Sequence, residues 1–152
     1  MGQGVGFVCS RCKKEYGIGA GIGRNFPQVY KETLEGVKSG EYGEEFKKLA
    51  GAEGNVAVDA EIYLYLCNKC GAWKTEKGLA LYVPKDPSQE AEDCVMGRRL
   101  QEGYRLLRRY IHLCDKCGGV MHKASYEEER NLHCPYCGGA PEQGTMKRIL
   151  WD

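Results

Sequence analysis

The sequence lacks three features that would point directly to a class of function: a long hydrophobic run, an excess of one charge, and a catalytic set of side chains. No stretch approaches the roughly 18 consecutive apolar residues of a membrane span, and residues 1–8 lack the basic start and apolar run of a signal peptide. Basic and acidic residues nearly balance, at 22 and 21, whereas a general nucleic-acid binder is strongly basic. We therefore expect a globular cytosolic protein without a membrane partner.

Catalytic patterns are missing as well. The sequence contains no Ser/His/Asp set, no H-E-x-x-H motif and no paired carboxylates with an evident pocket. With 42% apolar and 28% charged residues, the composition is nevertheless that of a folded protein, and 152 residues are enough for one domain or two small ones. We predict a protein that binds a partner and is not an enzyme.

Cysteine is the residue that the sequence has in abundance. Nine cysteines are present, and eight of them form four Cys-x-x-Cys pairs. The pairs are Cys9/Cys12, Cys67/Cys70, Cys114/Cys117 and Cys134/Cys137. Disulfides persist in secreted proteins, and nothing in this sequence indicates secretion, whereas a Cys-x-x-Cys turn places two thiolates where one metal ion can bind both. The pairs therefore predict metal sites, and Cys94 is left outside them as a half-buried free thiol.

The spacing of the pairs suggests how they combine. Four thiolates around one ion form a closed tetrahedral site that suits Zn²⁺, so we predict two zinc ions per chain, with iron as the less favoured metal. Cys114/Cys117 and Cys134/Cys137 are separated by 16 residues, which falls within a known zinc pattern, and they form the predicted second site. Cys9/Cys12 and Cys67/Cys70 then form the first site by elimination, across 54 residues. A cross-braced arrangement, with the first pair joined to the third and the second to the fourth, stays open.

Three of the four pairs are followed directly by glycine, in the knuckles Cys67–Gly71, Cys114–Gly118 and Cys134–Gly138. At these knuckles the sequence resembles the zinc-ribbon and rubredoxin-like families. The resemblance implies that the glycine adopts a positive φ, which lets backbone N–H groups point at the sulfurs. The first knuckle departs from the pattern because Lys13 follows Cys12, and we expect its turn to be more strained. Folds of this kind host many unrelated functions, so the likeness predicts a site and not an activity.

The segments around the knuckles predict an α+β fold of two small zinc-ribbon units. Ile62–Leu66 and Leu79–Val83 have the pattern of strands, and Ile149–Trp151 is a candidate last strand. Apolar residues repeat with helical spacing across about 25–51, which predicts a helical insertion in the first unit. The predicted divisions are a zinc ribbon with this insertion at 1–87, a linker helix at 88–109 and a C-terminal zinc ribbon at 110–152.

Two further stretches have an unusual composition. Gly17–Gly23 has glycine at alternate positions, out of register with phosphate-binding motifs, so we interpret it as an extended segment packed closely on another backbone. Arginines concentrate in the predicted linker helix, where they form a candidate patch for nucleic acid or a protein partner. Its members are Arg98, Arg99, Arg105, Arg108 and Arg109. We favour a solvated helix face as the explanation, because the helix dipole favours basic residues toward the C-terminus.

The function that these features favour is a metal-stabilised module that binds a protein partner. A nucleic-acid-associated zinc-ribbon factor that uses the arginine patch is the alternative, and a rubredoxin-like iron or thiolate redox protein is a second alternative. Two sites, each with one Zn²⁺ and four thiolates, lower the formal charge from +1 to about −3. That balance disfavours general nucleic-acid binding.

Overall fold

The computed structural model describes residues 2–140 and 147–151. These residues form a mixed α+β structure with two antiparallel sheets. The strands are β1 (Gly2–Val8), β2 (Glu15–Gly21), β3 (Ala57–Val58), β4 (Ile62–Cys67), β5 (Trp73–Lys77), β6 (Leu81–Pro84), β7 (Tyr104–Arg108), β8 (Met121–Lys123) and β9 (Lys147–Trp151). The helices are α1 (Phe26–Ser39), α2 (Glu44–Glu53), α3 (Gly97–Gly103) and α4 (Tyr126–Arg130).

The chain forms two compact units, and their boundaries differ from the predicted ones. The cysteine unit consists of Met1–Arg24, Ile62–Glu76 and Ile111–Asp152, and it contains all four Cys-x-x-Cys pairs. The helical unit consists of Asn25–Glu61 and Lys77–Tyr110. The predicted division at 1–87, 88–109 and 110–152 assumed that each metal site is built from neighbouring segments. The structure instead assembles one unit from three distant segments, and the helical insertion belongs to a unit of its own.

The sheet of the cysteine unit has the strand order β5–β4–β2–β1–β9, and β8 also pairs with β4. The predicted strands at Ile62–Leu66 and Ile149–Trp151 are therefore confirmed as β4 and β9. Strand β4 is buried on both faces, because Leu64 and Tyr65 are adjacent and both buried. Leu64 packs in a core with Phe7 and Tyr16, whereas Tyr65 packs in a second core with Met121. One strand thus supports two separate cores.

The helical unit has its own sheet, in the order β3–β6–β7. Helix α1 packs against α2 and β3 and, as the helical spacing predicted, buries one face that includes Tyr30 and Val37. It ends at Gly40, whose φ of 92° lets the backbone N–H reach the carbonyls of the last turn. Helix α2 extends to Glu53, beyond the predicted limit at residue 51, and Gly54 is its cap.

The predicted linker helix at 88–109 is wrong. Ser88 does not cap a helix, because its N–H and its hydroxyl both donate to Asp86 Oδ1, at 2.9 and 2.7 Å, in a local turn. The helix that does form, α3, has seven residues. From Tyr104 the chain is extended, since β7 pairs with β6. Tertiary strand pairing therefore overrides the helical composition of this segment.

The glycine-rich stretch is extended, as predicted. Strand β2 pairs with β1 so that Gly17 lies opposite Gly6 and Gly19 opposite Gly4. A Cβ atom at Gly17 would lie 2.8 Å from the carbonyl oxygen of Val5, which leaves no room for a side chain. Close backbone packing accounts for this glycine without a phosphate ligand.

Candidate metal centres

The four Cys-x-x-Cys knuckles share one backbone geometry. In each, the N–H of the residue after the second cysteine donates to the carbonyl oxygen of the first cysteine. The donors are Lys13, Gly71, Gly118 and Gly138, at 2.8, 3.1, 2.8 and 2.9 Å. The first cysteine of each knuckle in turn donates its N–H to the carbonyl oxygen of the residue five positions later, at 2.8 to 3.0 Å. These acceptors are Lys14, Ala72, Gly119 and Gly139. These local bonds place both sulfurs of a knuckle on one side of its turn.

The residue that directly follows the second cysteine of each knuckle has a positive φ, as the resemblance to zinc-ribbon families implied for the three glycines. The angle is 72° at Gly71, 69° at Gly118 and 71° at Gly138. Lys13 adopts the same conformation, with a φ of 63°, although an L-residue with a side chain is disfavoured there by about 1–2 kcal/mol. The first knuckle is thus regular in its hydrogen bonds and strained at one residue, in agreement with its departure from the glycine pattern.

The knuckles combine into two clusters of four cysteines. The terminal cluster consists of Cys9, Cys12, Cys134 and Cys137, and the central cluster consists of Cys67, Cys70, Cys114 and Cys117. In each cluster the four sulfurs lie within 4.8 Å of one another. The predicted first site of Cys9, Cys12, Cys67 and Cys70 and the predicted second site of Cys114, Cys117, Cys134 and Cys137 are therefore wrong. The cross-braced alternative is wrong too, because the first knuckle meets the fourth and the second meets the third.

Strand pairing explains this nested arrangement. Strand β8 pairs with β4 so that Met121 lies opposite Cys67, and Leu113 bridges Val120 across the third knuckle. The third knuckle is therefore brought against the second one. At the other cluster, the Tyr16 hydroxyl donates to the carbonyl oxygen of Leu132 at 2.8 Å, which fixes the segment before the fourth knuckle beside β2.

The sulfur distances suit a bound metal ion and exclude disulfides. Between knuckles, 3.5 Å separates the sulfurs of Cys9 and Cys137, and 3.6 Å separates those of Cys12 and Cys134. The central cluster repeats the pattern, with 3.4 Å from Cys67 to Cys117 and 3.6 Å from Cys70 to Cys114. A disulfide bond is only about 2.05 Å long, and all nine cysteines are free thiols. Each cluster therefore has the donor set and the spacing to hold one metal ion.

Backbone N–H groups lower the pKa of one thiol in the terminal cluster, Cys9, and of two in the central cluster, Cys67 and Cys114. The Cys12 N–H donates to the sulfur of Cys9 and lowers the pKa of that thiol to about 6. In the central cluster, the N–H groups of Cys70 and Lys69 donate to Cys67, both at 3.4 Å, and lower its pKa to about 6. These bonds favour the charged form of the sulfur, which is the form that binds metal.

The crowding of the sulfurs has the opposite effect on another thiol. Although the Gly119 N–H donates to the sulfur of Cys117, the adjacent Cys67 sulfur and burial raise the pKa of Cys117 to about 11. A cation between the sulfurs would remove this repulsion, because coordination to a metal deprotonates thiols outright. The electrostatics of the clusters thus favour a bound cation.

The residues after the second cysteine of each knuckle carry a sequence signal that argues against the predicted pairing of the first knuckle with the second and of the third with the fourth. The third and fourth knuckles end in Gly-Gly, and the second of these glycines touches the opposite knuckle. A Cβ atom at Gly119 would lie 3.1 Å from the sulfur of Cys67, and one at Gly139 would lie 3.4 Å from the sulfur of Cys9. Each cluster therefore pairs one Gly-Gly knuckle with one that lacks it, which the prediction from spacing missed.

The histidines near the knuckles support the structure around the clusters and do not enter the sulfur groups. His112 is buried, stacks on Tyr65 with ring centroids 3.8 Å apart, and contacts Glu76 through Nδ1 at 2.7 Å. His122 contacts Asn68 and Glu128 through its two ring nitrogens. Glu128 also completes a capping box with Ser125 at the start of α4.

Cys94 lies outside both clusters, as predicted. It is half-buried in the helical unit, and burial raises the pKa of its thiol. A raised pKa favours the protonated form of the thiol over the nucleophilic thiolate.

The arginine patch lies on the helical unit, but it is not a helix face. Arg98 and Arg99 lie on α3, Arg105 and Arg108 lie on β7, and Arg109 follows that strand; all five are exposed. Three of them form ion pairs within the unit: Arg98 pairs with Glu102, Arg99 with Glu92, and Arg108 with Glu45. These pairs leave less free positive charge than the sequence suggested.

Comparison with known proteins adds no family to this description. No family model matches the chain, and no curated protein or solved structure matches it either. Among the described residues, no helix is both long enough and apolar enough to cross a membrane.

Proposed function

We propose that this protein is a metal-stabilised interaction module, in which two zinc ions hold the cysteine unit together and an apolar surface beside the central cluster binds a protein partner. The observation that carries the proposal is the exposed apolar surface around the third knuckle. Ile111, Leu113 and Val120 are 67%, 52% and 51% exposed.

The sulfur geometry is compatible with zinc. A tetrahedral Zn²⁺ site with bonds of about 2.3 Å has sulfurs about 3.8 Å apart, close to the 3.4–3.6 Å that separates four pairs of sulfurs between knuckles. Four protein ligands close the coordination shell and leave no open position for a substrate. This chemistry supports a structural role for both ions.

The apolar surface supports a role in binding. Leu113 and Val120 are antiparallel bridge partners across the third knuckle, which places their side chains on the same face, and Ile111 is two residues before Leu113 in the chain. Isolated exposed apolar residues are common, whereas a group of them indicates a contact surface. Since Cys114 and Cys117 lie between Leu113 and Val120 in the chain, a metal in the central cluster would also hold this surface in shape.

A photo-crosslinking residue at position 113 tests the binding proposal. Incorporated in place of Leu113 in cells that produce the protein naturally, it should capture a defined partner. The same residue in place of Tyr126, which is 71% exposed on α4, is the matched control. The captured partner should bind the purified zinc-loaded protein, and Leu113→Ser with Val120→Ser should abolish that binding. Equal capture from positions 113 and 126, or unchanged binding by the double variant, contradicts the proposal.

Metal analysis separates the zinc module from the iron-containing alternative. Protein purified from cells without added metal should contain two zinc ions per chain by elemental mass spectrometry and should be colourless. A red protein that contains iron would instead support the rubredoxin-like redox function.

A further inference from the structure

The terminal cluster has a second exposed surface whose chemistry differs from that of the apolar one. The first knuckle carries three exposed basic residues, Arg11, Lys13 and Lys14. The fourth knuckle carries Tyr136, which is 59% exposed. Lys14 Nζ lies 4.7 Å from the centroid of the Tyr136 ring, so the two knuckles form one continuous surface, which we call the terminal-knuckle surface.

The combination of basic side chains with an exposed aromatic ring is specific to the terminal cluster, because the central cluster lacks it. Its knuckles carry Lys69 and Lys116 but no aromatic residue, and Asp115 adds a negative charge that pairs with Lys74 at 3.1 Å. The knuckles of the terminal cluster contain no acidic residue, and the nearest one in the chain is Glu15, at the start of β2. The two clusters share their backbone geometry but differ in the charge and the aromatic content of their surfaces.

The positive charge of Arg11, Lys13 and Lys14 exceeds the negative charge of a zinc-loaded terminal cluster. A zinc ion with four thiolates has a net charge of about −2, and the three cations of the first knuckle outweigh it. No ion pair to an acidic side chain is found for these cations in the described part of the chain. Their charge is therefore available to an anion in solution.

We propose that the terminal-knuckle surface binds single-stranded nucleic acid. Arg11, Lys13 and Lys14 contact phosphates, and the Tyr136 ring stacks on a base. Cations interleaved with an exposed aromatic ring are the combination that single-stranded chains require, because unpaired bases offer a free face and duplexes do not. An acidic peptide would use the cations but not the ring, so the ring favours nucleic acid.

Fluorescence anisotropy with a short labelled single strand of mixed sequence, as RNA and as DNA, measures this binding on the full zinc-loaded chain. The variant Tyr136→Ala should weaken binding roughly 5- to 150-fold, which corresponds to the loss of one stacked base, while Tyr136→Phe should bind nearly as well as the wild type. The triple variant Arg11→Ala, Lys13→Ala, Lys14→Ala should flatten the salt dependence by roughly 0.7 for each phosphate that these three side chains neutralise in the wild type.

Matched controls come from the same chain. Lys69→Ala with Lys116→Ala removes two cations from the central cluster, and Tyr126→Ala removes another exposed tyrosine that has a cation over its ring, Arg130 at 5.5 Å. Both controls should bind like the wild type, and every variant should retain two zinc ions. The proposal is overturned if no strand binds, if the controls weaken binding as much as the test variants, or if polyglutamate or a duplex competes as well as the single strand.

Discussion

Replacing Lys13 with glycine should tighten metal binding at the terminal cluster. Lys13 has a φ of 63°, a conformation that costs an L-residue about 1–2 kcal/mol and glycine almost nothing. Glycine also gains freedom in the unbound knuckle, which offsets roughly 0.4–1 kcal/mol of that benefit. Relative to Lys13→Ala, which loses the same positive charge, the net gain is about 0.8 kcal/mol at the middle of the range that these figures span, or roughly a fourfold higher affinity for zinc.

The comparison that isolates backbone strain is between Lys13→Gly and Lys13→Ala. Both variants remove the same positive charge, but alanine keeps the Cβ atom that makes the left-handed conformation unfavourable. Competition with a coloured zinc chelator measures the affinities, and the central cluster serves as an internal reference that should not change. If Lys13→Gly binds zinc no more tightly than Lys13→Ala, or if the gain appears at the central cluster, the assignment of strain to Lys13 is wrong.

Three further predictions concern the clusters. Gly119→Ala should weaken metal binding at the central cluster, because the Cβ atom of the alanine would lie 3.1 Å from the Cys67 sulfur. The same chelator assay should show unchanged binding at the terminal cluster, and equal loss at both clusters would contradict this prediction. Removal of zinc should collapse the NMR dispersion of the cysteine unit but preserve that of the helical unit, whose core includes the buried residues Tyr30, Leu81 and Leu100; an unchanged spectrum of the cysteine unit would contradict a structural role for the metal. Cys94→Ser should retain two metal ions by native mass spectrometry, whereas Cys134→Ser should retain one tightly bound ion; loss of a metal from Cys94→Ser would place that thiol in a site.

Local features of the structure could be predicted from the sequence because they depend on neighbouring residues. The turn of a Cys-x-x-Cys knuckle is closed by hydrogen bonds within six residues, so its form follows from its spacing. Helix α1 was likewise predictable, since Pro27 lies in its first turn, Gly40 ends it and its apolar residues share one face.

The combination of the knuckles was not predictable from spacing because it depends on strands that pair across long distances. The pairing of β8 with β4 and of β9 with β1 brings residues near 120 to Cys67 and closes the last strand on the first. A rule that joins the nearest pairs cannot anticipate these contacts. The predicted helix at 88–109 was wrong for a related reason. The composition of the segment favours a helix, but pairing with β6 stabilises Tyr104–Arg108 as strand β7.

The nested arrangement of the knuckles is tested most directly by NMR of the protein with zinc replaced by NMR-active cadmium. Scalar coupling through each metal–sulfur bond correlates the cadmium signal with the β-protons of the cysteines that bind it. We predict two cadmium signals, one correlated with Cys9, Cys12, Cys134 and Cys137 and the other with Cys67, Cys70, Cys114 and Cys117. A signal that correlates with Cys9 and Cys67 together, or with Cys114 and Cys134 together, would contradict the arrangement.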